Sequence, residues 1–121
     1  MILIFCLIFF FLSIYNFLCI IEIMNIENSY SVILPTLNEV GHIKSLINDI
    51  SKNFEKLNIV YEIIVVDDNS IDETTEEISK IDNSNLIIHK RLNKKKSLVN
   101  SLNDGVKLSK YEFIFSVSYT L

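Results

Sequence analysis

Four consecutive β-branched residues, Ile63-Ile64-Val65-Val66, set the tightest constraint on this chain. Branching at Cβ favours the extended backbone. A strand that is apolar at every position, rather than at every second one, must be covered on both faces. That is the situation of a strand inside a parallel sheet sandwiched by helices. The neighbouring sequence supplies the other pieces. Ser31-Val32-Ile33-Leu34 is a short β-branched run stopped by Pro35. Val40, Ile43, Leu46/Ile47, Ile50, Phe54 and Leu57 then recur at the spacing of one helix face, with Asn38 or Thr36 available as a cap and Asn58 as a terminator. After the central strand, Ser70-x-x-Glu73 has the form of a capping box. Asp72, Glu73, Glu76 and Glu77 crowd the first turns that would follow it. Leu86 to His89 reads as a third strand, Ser97 to Ser109 as a third helix with Leu98, Leu102 and Val106 on one stripe, and Tyr111 to Val117 as a fourth strand. The order β-α-β-α-β-α-β predicts an α/β fold, an open and mostly parallel sheet with right-handed crossovers.

Residues 1–21 stand apart because they carry no charge. As a helix they would rise about 31 Å, enough for a hydrocarbon core of about 30 Å. We therefore expect one N-terminal transmembrane helix over residues 1–23, followed by a domain over residues 29–121. A secretory signal would need a basic start and a small-residue cleavage site, and neither is present. Met24 offers a second start, in which case residues 1–23 would not be translated. Cys6 and Cys19 both lie in the apolar run, so neither a disulfide framework nor a zinc site is indicated.

Composition excludes several classes of function. A net charge of −4 argues against general nucleic-acid binding, which needs a basic surface. Two glycines cannot build the Gly-rich phosphate loops of P-loop or dinucleotide enzymes. His42 and His89 have no partners at metal-ligand spacing and read as structural or surface residues.

Chemistry in open α/β sheets gathers at the carboxyl ends of the strands. Here the first strand ends in Pro35-Thr36-Leu37-Asn38-Glu39, the second in Asp67-Asp68-Asn69-Ser70, and the third runs into Lys90-Arg91. Three loops thus bring carboxylates, amides and cations to one rim. Paired acids there can accept hydrogen bonds from a nucleobase or ribose, or hold a divalent cation.

SVILPTLNEVGHI, followed by YEIIVVDDNSIDET and then by KRLNKKKSLVNSLNDGVKLSKYEFI, resembles the start of a family 2 glycosyltransferase with the GT-A fold. The likeness is to the dolichol-phosphate mannose synthase type and covers roughly residues 30–115. The resemblance implies transfer of a sugar from a GDP- or UDP-linked donor to a polyprenyl phosphate or another acceptor. It also implies that Pro35, Thr36 and Glu39 line the nucleotide pocket and that Asp67 accepts from the base. Asp68, Asn69 and Ser70 would shape that loop, Arg91 would approach the base or diphosphate, and Gly105 would allow close helix packing. Because such donors are made in the cytoplasm, the domain of a single-pass membrane protein would face that side.

One block departs from the family pattern. The fourth strand of such enzymes ends in Asp-x-Asp, which holds Mg²⁺ or Mn²⁺ against the donor diphosphate. This chain reads Phe113-Ile114-Phe115-Ser116-Val117-Ser118, with no acid after Glu112. Hydroxyls do not supply the anionic charge that a hard cation needs. The expectation is a truncated nucleotide-sugar-binding domain, inactive as a transferase by itself. Two other readings use the same residues. IIVVDDNS also looks like the first strand of a response-regulator receiver domain, although Ser116 stands where its phosphoacceptor Asp would be. A membrane-anchored remnant without a ligand is the other.

Overall fold

The structure, a computed structural model, describes residues 29–117. Within them β1 (Ser29–Thr36), β2 (Val60–Asp67), β3 (Leu86–Lys90) and β4 (Phe113–Ser116) form one sheet in the order β3-β2-β1-β4, with every neighbouring pair parallel. Helices α1 (Ile43–Lys56), α2 (Thr74–Ser79) and α3 (Leu98–Leu108) fill the crossovers. The predicted alternation and the parallel sheet are both present. The expected transmembrane segment lies outside the described residues. Among those described, no helix is long and apolar enough to cross a membrane.

β2 occupies the covered position that its apolar run demands, and every residue from Tyr61 to Asp67 is buried. Its side chains alternate between two cores. Ile63 and Val65 join Val32 and Leu34 of β1 under Ile43 and Ile47 of α1 and Ile78 of α2. Ile64 and Val66 pack with Ile33 on the opposite face, against Leu102 of α3. Burying each such side chain contributes about 1.5–3 kcal/mol, so most of the stabilising area belongs to the α1/α2 face.

α3 reaches the sheet through its smallest residues. Its buried positions are Ser101 and Gly105, whereas Leu98 and Val106 of the expected apolar stripe are about half exposed. A Cβ on Gly105 would lie 2.5 Å from Cγ2 of Ile33. The absence of a side chain at residue 105 is what lets the helix settle on β1.

Three local expectations are corrected. Pro35 does not stop β1, which continues to Thr36. The Ile33 carbonyl faces β4 and the Thr36 carbonyl faces β2. By alternation the ring nitrogen of Pro35 also faces the β4 side, beyond the Tyr30–Ile33 stretch that β4 pairs. No ladder donor is lost there. Neither Thr36 nor Asn38 caps α1, whose N-cap is His42 without a side-chain bond. The Ser70–Glu73 capping box does not form either, because α2 begins only at Thr74 and Ser70 bonds elsewhere. Asn58 does close α1 as expected, in the left-handed region at φ 53°.

β4 differs from the other strands. All four of its residues are exposed, although Phe113 and Phe115 contact the ring of Tyr30 at centroid distances of 5.6 and 5.3 Å. The turn that feeds it is latched from below. Buried Glu62 accepts from Ser31 Oγ at 2.5 Å and from the Lys110 amide at 2.6 Å, and Ser31 Oγ accepts from the Tyr111 amide.

Candidate functional site

The strand order reverses at β1, so the crevice of an open sheet belongs at the carboxyl ends of β1 and its neighbours. The three predicted loops meet there. The Asp68 amide donates to the Thr36 carbonyl at 2.9 Å, and the Arg91 amide donates to the Asp67 carbonyl at 2.8 Å. These bonds run from the first loop through the second to the third. Thr36, Asp67, Asp68 and Arg91 are each at most 5 % exposed, and Pro35 and Glu39 are half-buried beside them.

The first two loops are stitched together amide by amide. Asn38 donates to Ser70 Oγ at 2.9 Å, Glu39 to Thr74 Oγ1 at 2.9 Å, Val40 to Asp72 Oδ2 at 3.4 Å, and Gly41 to Glu77 Oε2 at 2.8 Å. In return the Ile71 amide donates to Asn38 Oδ1 at 3.0 Å. Left-handed backbone at Asn38, Gly41 and Asn69 turns the loops so that these groups face one another. Asparagine tolerates that conformation better than most residues, and glycine does so without cost.

Asp67 anchors the second loop. Its Oδ1 accepts from Thr36 Oγ1 at 3.3 Å and from Ser70 Oγ at 2.5 Å, and its Oδ2 accepts from the Ser70 amide at 2.9 Å. The side chain is fully buried. Asp68 faces the third loop. Its Oδ1 lies 2.6 Å from Arg91 Nη1, and its Oδ2 accepts from the Ser97 amide at the N-cap of α3 at 2.7 Å. Arg91 also donates through Nε to Asp104 Oδ2 at 3.0 Å and through Nη1 to the Ser97 carbonyl and Ser101 Oγ, each at 3.3 Å.

Two carboxylates on the rim titrate in opposite directions. Burial raises Glu39 above its ordinary value, helped by the negative charge of Asp72 and opposed by His42. For Asp72 burial also pushes upward. Hydrogen bonds from the Thr74 side chain and amide and from the Val40 amide outweigh it and lower the group.

The sequence singles out Arg91 and Asp68 but not the residues that orient them. Ser97, Ser101 and Asp104 belong to this site without having been expected there. The available signal is positional: Ser101 and Asp104 share a helix face with Gly105, so a charged group there sits beside the buried contact. His89, expected to be structural or on the surface, has its Nε2 3.8 Å from Asp104 Oδ2. A shallow groove of about 360 Å³, lined by Lys44, Glu73, Glu77 and Lys80 among others, lies on the α1/α2 flank and includes none of the six predicted site residues.

Among the described residues, no set of donors suits the Mg²⁺ or Mn²⁺ expected of such enzymes. β4 ends in Ser116, followed by Val117. Among the described residues no three His, Cys, Asp or Glu are grouped to hold an ion. The paired acids of the second loop, Asp67 and Asp68, are held by Ser70 and Arg91.

A parallel sheet reversing at its first strand, with acids and amides gathered on its carboxyl rim, defines an open α/β domain with its crevice at that rim. Residues 31–117 match the sequence model of the family described as Glycosyl transferase family 2, and the chain belongs to that family. It is similar to S. aureus TarS, with 32% identity over 74% of this chain and a TM-score of 0.65. The same values hold for TarS residues 1–349, solved alone and in complex with UDP. The chain spans 16% of the longer TarS structure and 27% of the shorter one. Membership accounts for Pro35-Thr36-Leu37-Asn38-Glu39 and the first β-α unit, which a receiver domain leaves without a role.

Proposed function

We propose that this chain binds the nucleotide of a sugar donor on the rim formed by the β1, β2 and β3 loops. The observation that carries the reading is the bonded sequence Thr36, Asp68, Asp67 and Arg91 across three loops of a family 2 domain. Binding of UDP by the similar TarS favours uridine diphosphate as the base and diphosphate, with GDP as the competitor to test.

In this reading Pro35 and Thr36 form the floor under the base, and Glu39 faces the base or ribose. Asp67 Oδ2 accepts one bond in the free chain, and an ionised carboxylate has lone pairs to spare for a base N–H. Because Asp67 is covered, that contact requires the Ser70 loop to move aside. Arg91 acts at the edge of the same cradle through Asp68. The acceptor in this reading is a polyprenyl phosphate, as in dolichol-phosphate mannose synthases. Residues 1–23 tether the domain to the cytoplasmic face of a membrane near such a lipid. Among these 121 residues no acid follows Glu112 to hold a divalent cation, so we infer binding without transfer by these residues alone.

Thermal unfolding with UDP, GDP and UMP tests the reading. At 100 times its Kd a ligand adds about 2.7 kcal/mol of stability, which shifts the melting temperature of a chain this size by several degrees. We expect that shift with UDP and none with UMP at equal concentration. A flat response to both diphosphates contradicts nucleotide binding and favours the ligand-free remnant.

A further inference from the structure

Resting on that reading, we propose that Asp104 is a positioning residue for the nucleotide cradle: it holds Arg91 in the orientation that fixes Asp68 and, through it, the Asp67 loop. Asp104 lies on α3, 13 residues beyond Arg91, and only a fifth of its side chain is exposed. Two cations and an imidazole converge on its Oδ2: Arg91 Nε at 3.0 Å, Lys94 Nζ at 3.8 Å and His89 Nε2 at 3.8 Å.

The guanidinium is what makes the arrangement directional. Arg91 is 3 % exposed and spans two carboxylates on different elements, Asp104 through Nε and Asp68 through Nη1. A planar fork fixed at Nε cannot turn without withdrawing Nη1 from Asp68. Asp68 in turn receives the Ser97 amide, so its position sets both the start of α3 and the residue before it, Asp67. Removing one member of a buried charged set leaves the others without compensation. Loss of Asp104 would therefore release Arg91 and loosen Asp68, although the Asp104 carboxylate meets Arg91, His89 and Lys94 rather than the Asp67 loop itself. The role belongs to the carboxylate, because an amide at residue 104 offers one oxygen without the charge that Arg91 and Lys94 share.

The test compares wild type, Asp104→Asn and Asp104→Glu in the full chain, reading UDP affinity by titration calorimetry and amide hydrogen exchange at residues 67–71 and 97–101. We expect Asp104→Asn to weaken UDP about tenfold, a typical coupling between neighbours in one charged network. Exchange should rise at residues 67–71 and 97–101 and stay unchanged in the Ile63–Val65 core. Asp104→Glu, which keeps the charge, should recover most of both. Unchanged affinity and exchange in Asp104→Asn would overturn the proposal. So would weakened affinity with unchanged exchange, which means direct ligand contact. If Asp104→Asn fails to fold, Asp104→Glu decides alone: near-wild-type affinity with protection retained at residues 67–71 supports the role, and lost affinity with that protection intact overturns it. Failure of the wild type to bind UDP or GDP is a separate result. It removes the donor reading and the nucleotide role of Asp104 together.

Discussion

β1 and β2 make up the finished half of this molecule, and β4 is its open half. On the α1/α2 side, eight buried residues form one core, and the loops above it are joined by five amide-to-side-chain bonds. On the α3 side, three buried aliphatics meet Leu102, and all four residues of β4 are exposed. Two loops of the proposed nucleotide rim therefore rest on the well-covered half, and the third leans on α3 through Arg91. The position where the family pattern places metal-holding acids falls on the open half. In the proposed reading, binding and metal-assisted transfer would draw on different parts of the sheet, so one could persist without the other.

The largest expected effect contrasts the two halves directly. Ile63→Ala, in the covered core at 0% exposure, should cost about 2–5 kcal/mol in denaturant unfolding. Phe115→Ala, half exposed on β4 beside Tyr30, should cost about 1 kcal/mol. Equal losses would mean that β4 carries as much of the folding energy as β2. A smaller effect comes from the seam between the halves. Gly105→Ala gains about 1 kcal/mol in helix propensity but drives a Cβ to 2.5 Å from Ile33, and overpacking of about 1–3 kcal/mol should outweigh the gain. A stabilised Gly105→Ala would show that α3 rides loosely on the sheet.

The smallest effects concern the rim carboxylates and separate by sign. Glu39 is raised in the folded chain, so its contribution favours folding at low pH and declines as pH climbs from the unfolded value through the folded one. Asp72 is lowered, so its contribution is present above the unfolded value and fades as pH falls through the folded one. Melting temperatures followed from neutral to acid pH should show Glu39→Gln equal to or above wild type near neutrality, and Asp72→Asn below it. Curves for both variants that move together across the whole range would contradict the opposed environments.

The fold is legible in the sequence because its strongest signals are periodic or continuous. The run at Ile63–Val66 and the helical stripe from Ile43 to Phe54 each reflect burial that the sequence repeats along itself. The convergence of the rim loops is legible too, since strand ends in a parallel sheet lie on one edge. What stays hidden depends on bonds between distant residues. Nothing local distinguishes Ser70 as a cap from Ser70 as the partner of Asp67 and Asn38. The capping box, a four-residue pattern, loses to contacts made across 32 positions of chain. In the sequence Arg91 reads as a cation facing ligand. Its burial between Asp68 and Asp104 comes from neighbours 23 and 13 residues away. Ser101 and Gly105 bear on the sheet while Leu98 and Val106 do not, because close approach of α3 to Ile33 favours small residues over apolar ones.

The central claim, that three loops on one rim form a nucleotide cradle, is tested most directly by mapping amide chemical shifts during a UDP titration. Saturable shifts confined to residues 35–41, 67–74 and 90–97, with Ser70 among the largest, are the predicted result. Shifts centred on the exposed β4 strand or the Lys44–Lys80 flank, with those three loops silent, would contradict it.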